Sequence, residues 1–66
     1  MRITLNGEVK ELSTATTVMA LLHALDLVGK RLAVERNGEI VPKSQHETTL
    51  LTDGDKLEIV VAVGGG

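Results

Sequence analysis

The sequence predicts an α+β fold, with one helix laid across a mixed sheet of four or five strands. Three observations carry this expectation. Short alternating segments are punctuated by two Asn-Gly pairs, Asn6-Gly7 and Asn37-Gly38, the dipeptide that two-residue hairpin turns prefer. One stretch, Val18 to Val28, repeats its apolar residues at helical spacing. A chain of 66 residues has room for one two-layer core and no more.

The elements follow in order. Arg2-Ile3-Thr4-Leu5 alternates polar and apolar, Asn6-Gly7 turns the chain, and Glu8 to Leu12 reads as the return strand. Ser13 to Thr17 is a loop of small, mostly hydroxylated residues, and Thr16 or Thr17 is suited to cap the helix that follows. Within that helix Val18, Leu21, Leu22, Leu25 and Val28 form one stripe. Gly29 follows as the expected terminating residue, with Lys30 and Arg31 near the negative end. Leu32 to Arg36 reads as a third strand, and Glu39-Ile40-Val41 as a short fourth ended by Pro42. Lys43 to Leu51 is polar and suggests a helical turn in a return loop. Asp53-Gly54-Asp55 then turns into a last strand, Lys56 to Val63.

This order places the first and last strands side by side in the middle of the sheet, joined by a right-handed crossover. The arrangement is the β-grasp, or ubiquitin-like, roll. Residues 1–63 form the single domain, and 64–66 are read as a flexible glycine tail leaving the central strand.

Composition narrows the function. There is no Cys, and no Phe, Tyr or Trp, which removes disulfides, thiolate metal sites and aromatic platforms for stacking bases. The net charge of −2 comes with acids and bases interspersed, so no basic stripe for phosphates is expected. No apolar stretch approaches a membrane span, and the N-terminus lacks a signal-peptide pattern. A cytoplasmic protein, monomeric when free, with neither nucleic acid nor membrane as partner, is expected.

The most informative feature is the ending Val63-Gly64-Gly65-Gly66. Glycine lacks a Cβ, so Gly64 and Gly65 suit backbone that must thread a narrow slot. Three extended residues reach roughly 10 Å. The Gly66 carboxylate is therefore expected to enter a partner's active site while the folded body stays outside. Parity in the last strand adds a docking face. Leu57, Ile59, Val61 and Val63 point to the helix, which leaves Val60 and Ala62 outward beside the tail. Arg31 and Arg36 are candidates for a polar rim.

These elements resemble the family of small sulfur carriers of thiamine biosynthesis. The resemblance rests on the opening hairpin Met1 to Gly7 and on the helix from Thr17-Val18 through Leu21-Leu22 to Leu25. It rests further on Val34, on Asn37-Gly38-Glu39-Ile40-Val41-Pro42, on Asp53-Gly54-Asp55 with the strand after it, and on the Gly-Gly end. It covers essentially the whole chain; the absence of aromatic residues is a departure. The resemblance implies that an E1-like partner uses ATP to adenylate Gly66. A persulfide donor then converts the acyl-adenylate to a thiocarboxylate, which delivers its sulfur to thiazole synthase. It implies a protein co-substrate, with no cofactor of its own and no catalytic residue. Alternatives that share the tail are the small subunit of molybdopterin synthase and a ubiquitin-like modifier. A purely binding β-grasp module differs in continuing past the last strand.

Other residues read as structural. His23 and His46 lie far apart with no Cys partner, so no metal site is expected. Asp53-Gly54-Asp55 lacks the other ligands of a calcium loop. Ser13 and Ser44 have no evident base nearby.

Overall fold

In the computed structural model, which describes residues 1–13 and 16–62, both Asn-Gly pairs close hairpins. Asn6 and Gly7 take φ of 49° and 83°, and Asn37 and Gly38 take 53° and 86°. Two successive positive φ values are what a type I′ turn requires, and its twist matches that of the strands. The first turn joins β1 (Arg2–Leu5) to β2 (Glu8–Glu11), and the second joins β3 (Leu32–Arg36) to β4 (Glu39–Val41). A 3-10 turn at Lys43–Gln45 precedes β5 (Lys56–Val61). The last strand thus ends two residues before its expected limit, and Val63 lies outside the described residues.

The five strands form one sheet in the order β2-β1-β5-β3-β4. β5 runs parallel to β1 and antiparallel to β3, so the strand nearest the tail is central, as the β-grasp topology demands. Ile3, Leu5, Val34, Leu57 and Ile59 line the inner face and pack with Val18, Leu21 and Leu22 of the helix, closed by Val41 and Leu51.

The helix α1 (Val18–Ala24) starts where expected and stops early. Thr17 is the cap: its side-chain oxygen accepts from the Ala20 N–H at 3.1 Å. The end comes at Asp26 rather than at Gly29. Asp26 adopts φ of 58°, its N–H donates to the His23 carbonyl at 3.0 Å, and the Leu27 N–H donates to the Leu22 carbonyl at 2.9 Å. These are the two bonds of a Schellman motif. Val28 therefore leaves the helical stripe and is exposed. Gly29, at φ of 87°, serves a second turn closed by Lys30 N–H on the Leu27 carbonyl at 3.2 Å.

The polar segment after β4 crosses the start of the helix. Met19 and Val18 donate their N–H groups to the carbonyls of His46 and Thr49. His46 is buried there, with Nε2 3.1 Å from the Val41 carbonyl. A carbonyl only accepts, so that nitrogen carries a proton.

Candidate functional site

Alternation along β5 sorts its side chains cleanly. Leu57 and Ile59 are buried and Val61 half-buried, whereas Lys56, Glu58 and Val60 are exposed. Val60 is 64% exposed, and Ala62, just beyond the strand, is exposed too. On the neighbouring strand Ala33 pairs with Val60 and Glu35 with Glu58, and paired residues share a face. The outer face next to the tail is thus a small apolar area, Val60, Ala62 and Ala33, flanked by two carboxylates. An exposed valine alone would need no account. Here it sits on the central strand beside the root of the glycine tail.

The strand that presents this face is held on both sides. Toward β3 the ladder runs from Arg36↔Leu57 to Leu32↔Val61, and the Ala62 N–H reaches the Arg31 carbonyl at 2.8 Å. Toward β1 the paired residues end at Leu5↔Leu57, and the Asn6 side chain takes over. Its Oδ1 accepts from the Ile59 N–H at 2.8 Å and its Nδ2 donates to the Ile59 carbonyl at 3.1 Å. The amide of a turn residue thus acts as one more rung of the sheet.

The start of β5 is fixed by Asp55, one of the two buried polar residues among those described. Its carboxylate accepts from Arg36 Nε at 2.8 Å, Asn37 Nδ2 at 3.1 Å, and the N–H and hydroxyl of Thr52 at 2.8 and 3.0 Å. Burial raises the pKa, but the hydrogen bonds from Arg36, Thr52 and Asn37 outweigh it and bring it from 3.8 to about 2. Asn37 also accepts the Lys56 N–H at 2.9 Å. Both hairpin asparagines therefore clamp β5, one at its start and one midway.

Of the two rim candidates, Arg31 adjoins Ala62 and Arg36 does not belong. Arg36 pairs with Leu57, which gives it the parity of the core face, and its guanidinium is engaged by Asp55. The rim beside Val60 is acidic instead. Gly64, Gly65 and Gly66 lie outside the described residues. Among the described residues no group of three or more His, Asp or Glu is placed to hold a metal, and no helix is long and apolar enough to cross a membrane.

Sequence reasoning missed Asp55 and the Asn6 rung. Asp-Gly-Asp and Asn-Gly were legible as turns, but a turn's composition does not reveal which strand its side chains reach. The one available signal was a carboxylate immediately before a central strand.

Comparison with known proteins gives a consistent result. Residues 3–66 match the model of the ThiS family. The chain is 50% identical over 66 residues to a thiazole synthase of Paramagnetospirillum magneticum, covering all of this chain and 20% of that protein. It thus spans about a fifth of that relative's length. It is 43% identical over 63 residues to the sulfur carrier protein ThiS of Bacillus subtilis, covering 94% of this chain and 96% of that one. A crystal structure of a thiamine biosynthesis protein (ThiS) from Geobacter metallireducens superposes with a TM-score of 0.84 at 32% identity, over the whole of both chains.

Proposed function

The chain belongs to the ThiS family, and we propose that it is a sulfur carrier of thiamine biosynthesis whose working group is the Gly66 carboxylate. The observation that carries the reading is the central placement of β5, locked by Asn6 and Asp55, with a run of glycines in the sequence after Ala62 and Val63. A rigid body and a slender end are what delivery into another protein's catalytic centre needs, because positioning of the reacting atoms supplies much of the rate.

A carboxylate resists attack until one of its oxygens becomes a good leaving group. An E1-like partner supplies that activation. A Gly66 carboxylate oxygen attacks the α-phosphorus of ATP, pyrophosphate departs, and an acyl-adenylate forms. The terminal sulfur of a persulfide then displaces AMP at the acyl carbon. Cleavage of the resulting acyl disulfide by a thiol frees the thiocarboxylate, which is consumed by thiazole synthase. The carrier contributes no general acid or base to these steps; charge stabilisation falls to the partner. It is a co-substrate working in the cytoplasm.

Val60 and Ala62 form the docking face in this reading. They precede the glycines closely in sequence, so a partner seated there holds the strand from which the tail continues. The similarity to a thiazole synthase along the whole chain supports that enzyme as the sulfur acceptor.

The test is the intact mass of protein taken from growing cells. A fraction with one oxygen replaced by sulfur at Gly66 is expected, together with complete loss of that species when one residue is added after Gly66. Normal charging of the extended tail would sink the reading.

A further inference from the structure

A second candidate surface lies at the β4 edge of the sheet, where β4 parts from β3. β4 pairs with Val34 to Arg36 only. The first two residues of β3, Leu32 and Ala33, are left without a named strand partner on that side, and the chain turns off at Pro42. The gap is a half-open groove of about 500 Å³. Leu22, Leu27 and Val41 are among the residues that line its apolar wall, with His46 beside them. Val28 and Ile40, two of the large apolar residues left exposed among those described, line it as well.

Charge is what selects the occupant. The chain carries nine acids and seven bases, yet the groove is lined by Lys30, Arg31 and Lys43 and by none of the acids. None of those three cations makes an ion pair with any described residue. Cations around an apolar wall, on a protein of net negative charge, complement an acidic segment bearing a projecting apolar side chain. Complementarity of this kind steers encounter and fixes register. The groove is also continuous with the tail's root, because the Arg31 carbonyl holds the Ala62 N–H at 2.8 Å.

The geometry points to this groove as the seat of an acidic, apolar-tipped segment of the enzyme that activates the tail, a contact that adjoins the Val60 face at Ala33 and carries it on to the cations beyond. It rests on the carrier reading in needing such an enzyme. A partner contact that runs from Val60 across Ala33 into the groove would be held at several points, which one apolar spot cannot offer.

The test uses the full chain and the purified adenylating enzyme. The pair Lys30→Glu, Lys43→Glu is expected to weaken binding roughly tenfold or more, with the loss shrinking as salt is raised. Val28→Ser, at an exposed groove residue outside the sheet, is expected to weaken it at all salt concentrations. The neutral pair Lys30→Gln, Lys43→Gln, with unchanged circular dichroism, is expected to show an intermediate loss, which guards against misfolding as the cause. Unchanged affinity in the reversal variant overturns the proposal. So does a loss confined to thiazole synthase, or a concentration-dependent dimer that the reversals dissolve, which would give the groove to a second copy. Wild-type protein that never acquires sulfur would sink the carrier reading, whereas normal charging with normal binding of the reversal variant sinks the groove alone.

Discussion

Glu58 stands directly across the β3–β5 ladder from Glu35, and both belong to the outer face next to Val60. Like charges directly opposite in a sheet are destabilising, by about 0.2–1 kcal/mol. A partner that sets a cation between them would relieve the repulsion on docking. Glu58→Lys is therefore expected to raise the free energy of unfolding by about 0.2–1 kcal/mol, seen as a higher denaturation midpoint. The same change should weaken binding of the adenylating enzyme. A variant that gains stability and loses affinity separates a docking role from a merely structural one. Val60→Asp, on the same face, is expected to lose affinity roughly tenfold with little change in stability, since Val60 is exposed.

The Asn6 rung invites a second substitution. Asn6→Gly keeps the positive φ the turn requires but removes both bonds to Ile59. Each net hydrogen bond is worth about 1 kcal/mol, and the strand loses its neighbour on that side. A loss of about 1–2 kcal/mol is expected in urea, seen as a lower midpoint at unchanged slope. An Asn6→Gly protein as stable as the parent would show that the side-chain amide is dispensable.

How much of this could be read from residue order alone differs from element to element. The hairpins were fully legible, because a type I′ turn depends on two local φ values that Asn-Gly supplies. The inner and outer faces of β5 were legible for a similar reason, since parity is a local rule. The end of the helix was not. Periodicity ran on to Val28 and Gly29 looked like the terminator, but the helix stopped at an aspartate whose left-handed conformation no pattern announces. Leu27 decides this by packing back against the core, a tertiary contact. The network around Asp55 joins Thr52, Arg36 and Asn37, residues brought together only by the fold. The cationic groove was hidden for the same reason. Lys30 and Arg31 are neighbours in sequence, but Lys43 and the apolar wall join them only where β4 leaves β3. Gly64 to Gly66 were singled out from sequence, and their chemistry still rests on the resemblance and the relatives.

The misplaced helix end can be tested directly. Asp26 holds φ of 58°, a conformation costing a residue with a Cβ up to about 1–2 kcal/mol, less for aspartate. It also puts an acid beside the negative end of the helix dipole. Asp26→Gly relieves both, offset by the greater freedom of glycine in the unfolded chain. A net gain of about 0.5 kcal/mol is expected, visible as a higher melting temperature. Gly29→Ala should do the opposite, because Gly29 takes φ of 87°. If Asp26→Gly destabilises the protein, the Schellman account of the helix end is wrong.

Asp55 gives the fold a dependence on pH whose sign is fixed by its surroundings. Burial works against its charge, yet the hydrogen bonds from Arg36, Thr52 and Asn37 prevail, so the folded pKa lies at about 2 against an ordinary 3.8. A carboxyl whose pKa is depressed by folding binds its proton more readily when unfolded. Its stabilisation is complete above pH 3.8 and is lost as pH falls toward about 2. That depression corresponds to a contribution on the order of 2 kcal/mol at neutral pH. Asp55→Asn is expected to cost about 2 kcal/mol or more at pH 7, because Arg36 loses its counter-charge and an amide cannot accept from all three residues at once. The distinguishing measurement is the slope of stability against pH below 4, which should flatten in the variant. An equal slope in both proteins would place the acid sensitivity elsewhere and remove Asp55 as the anchor of β5.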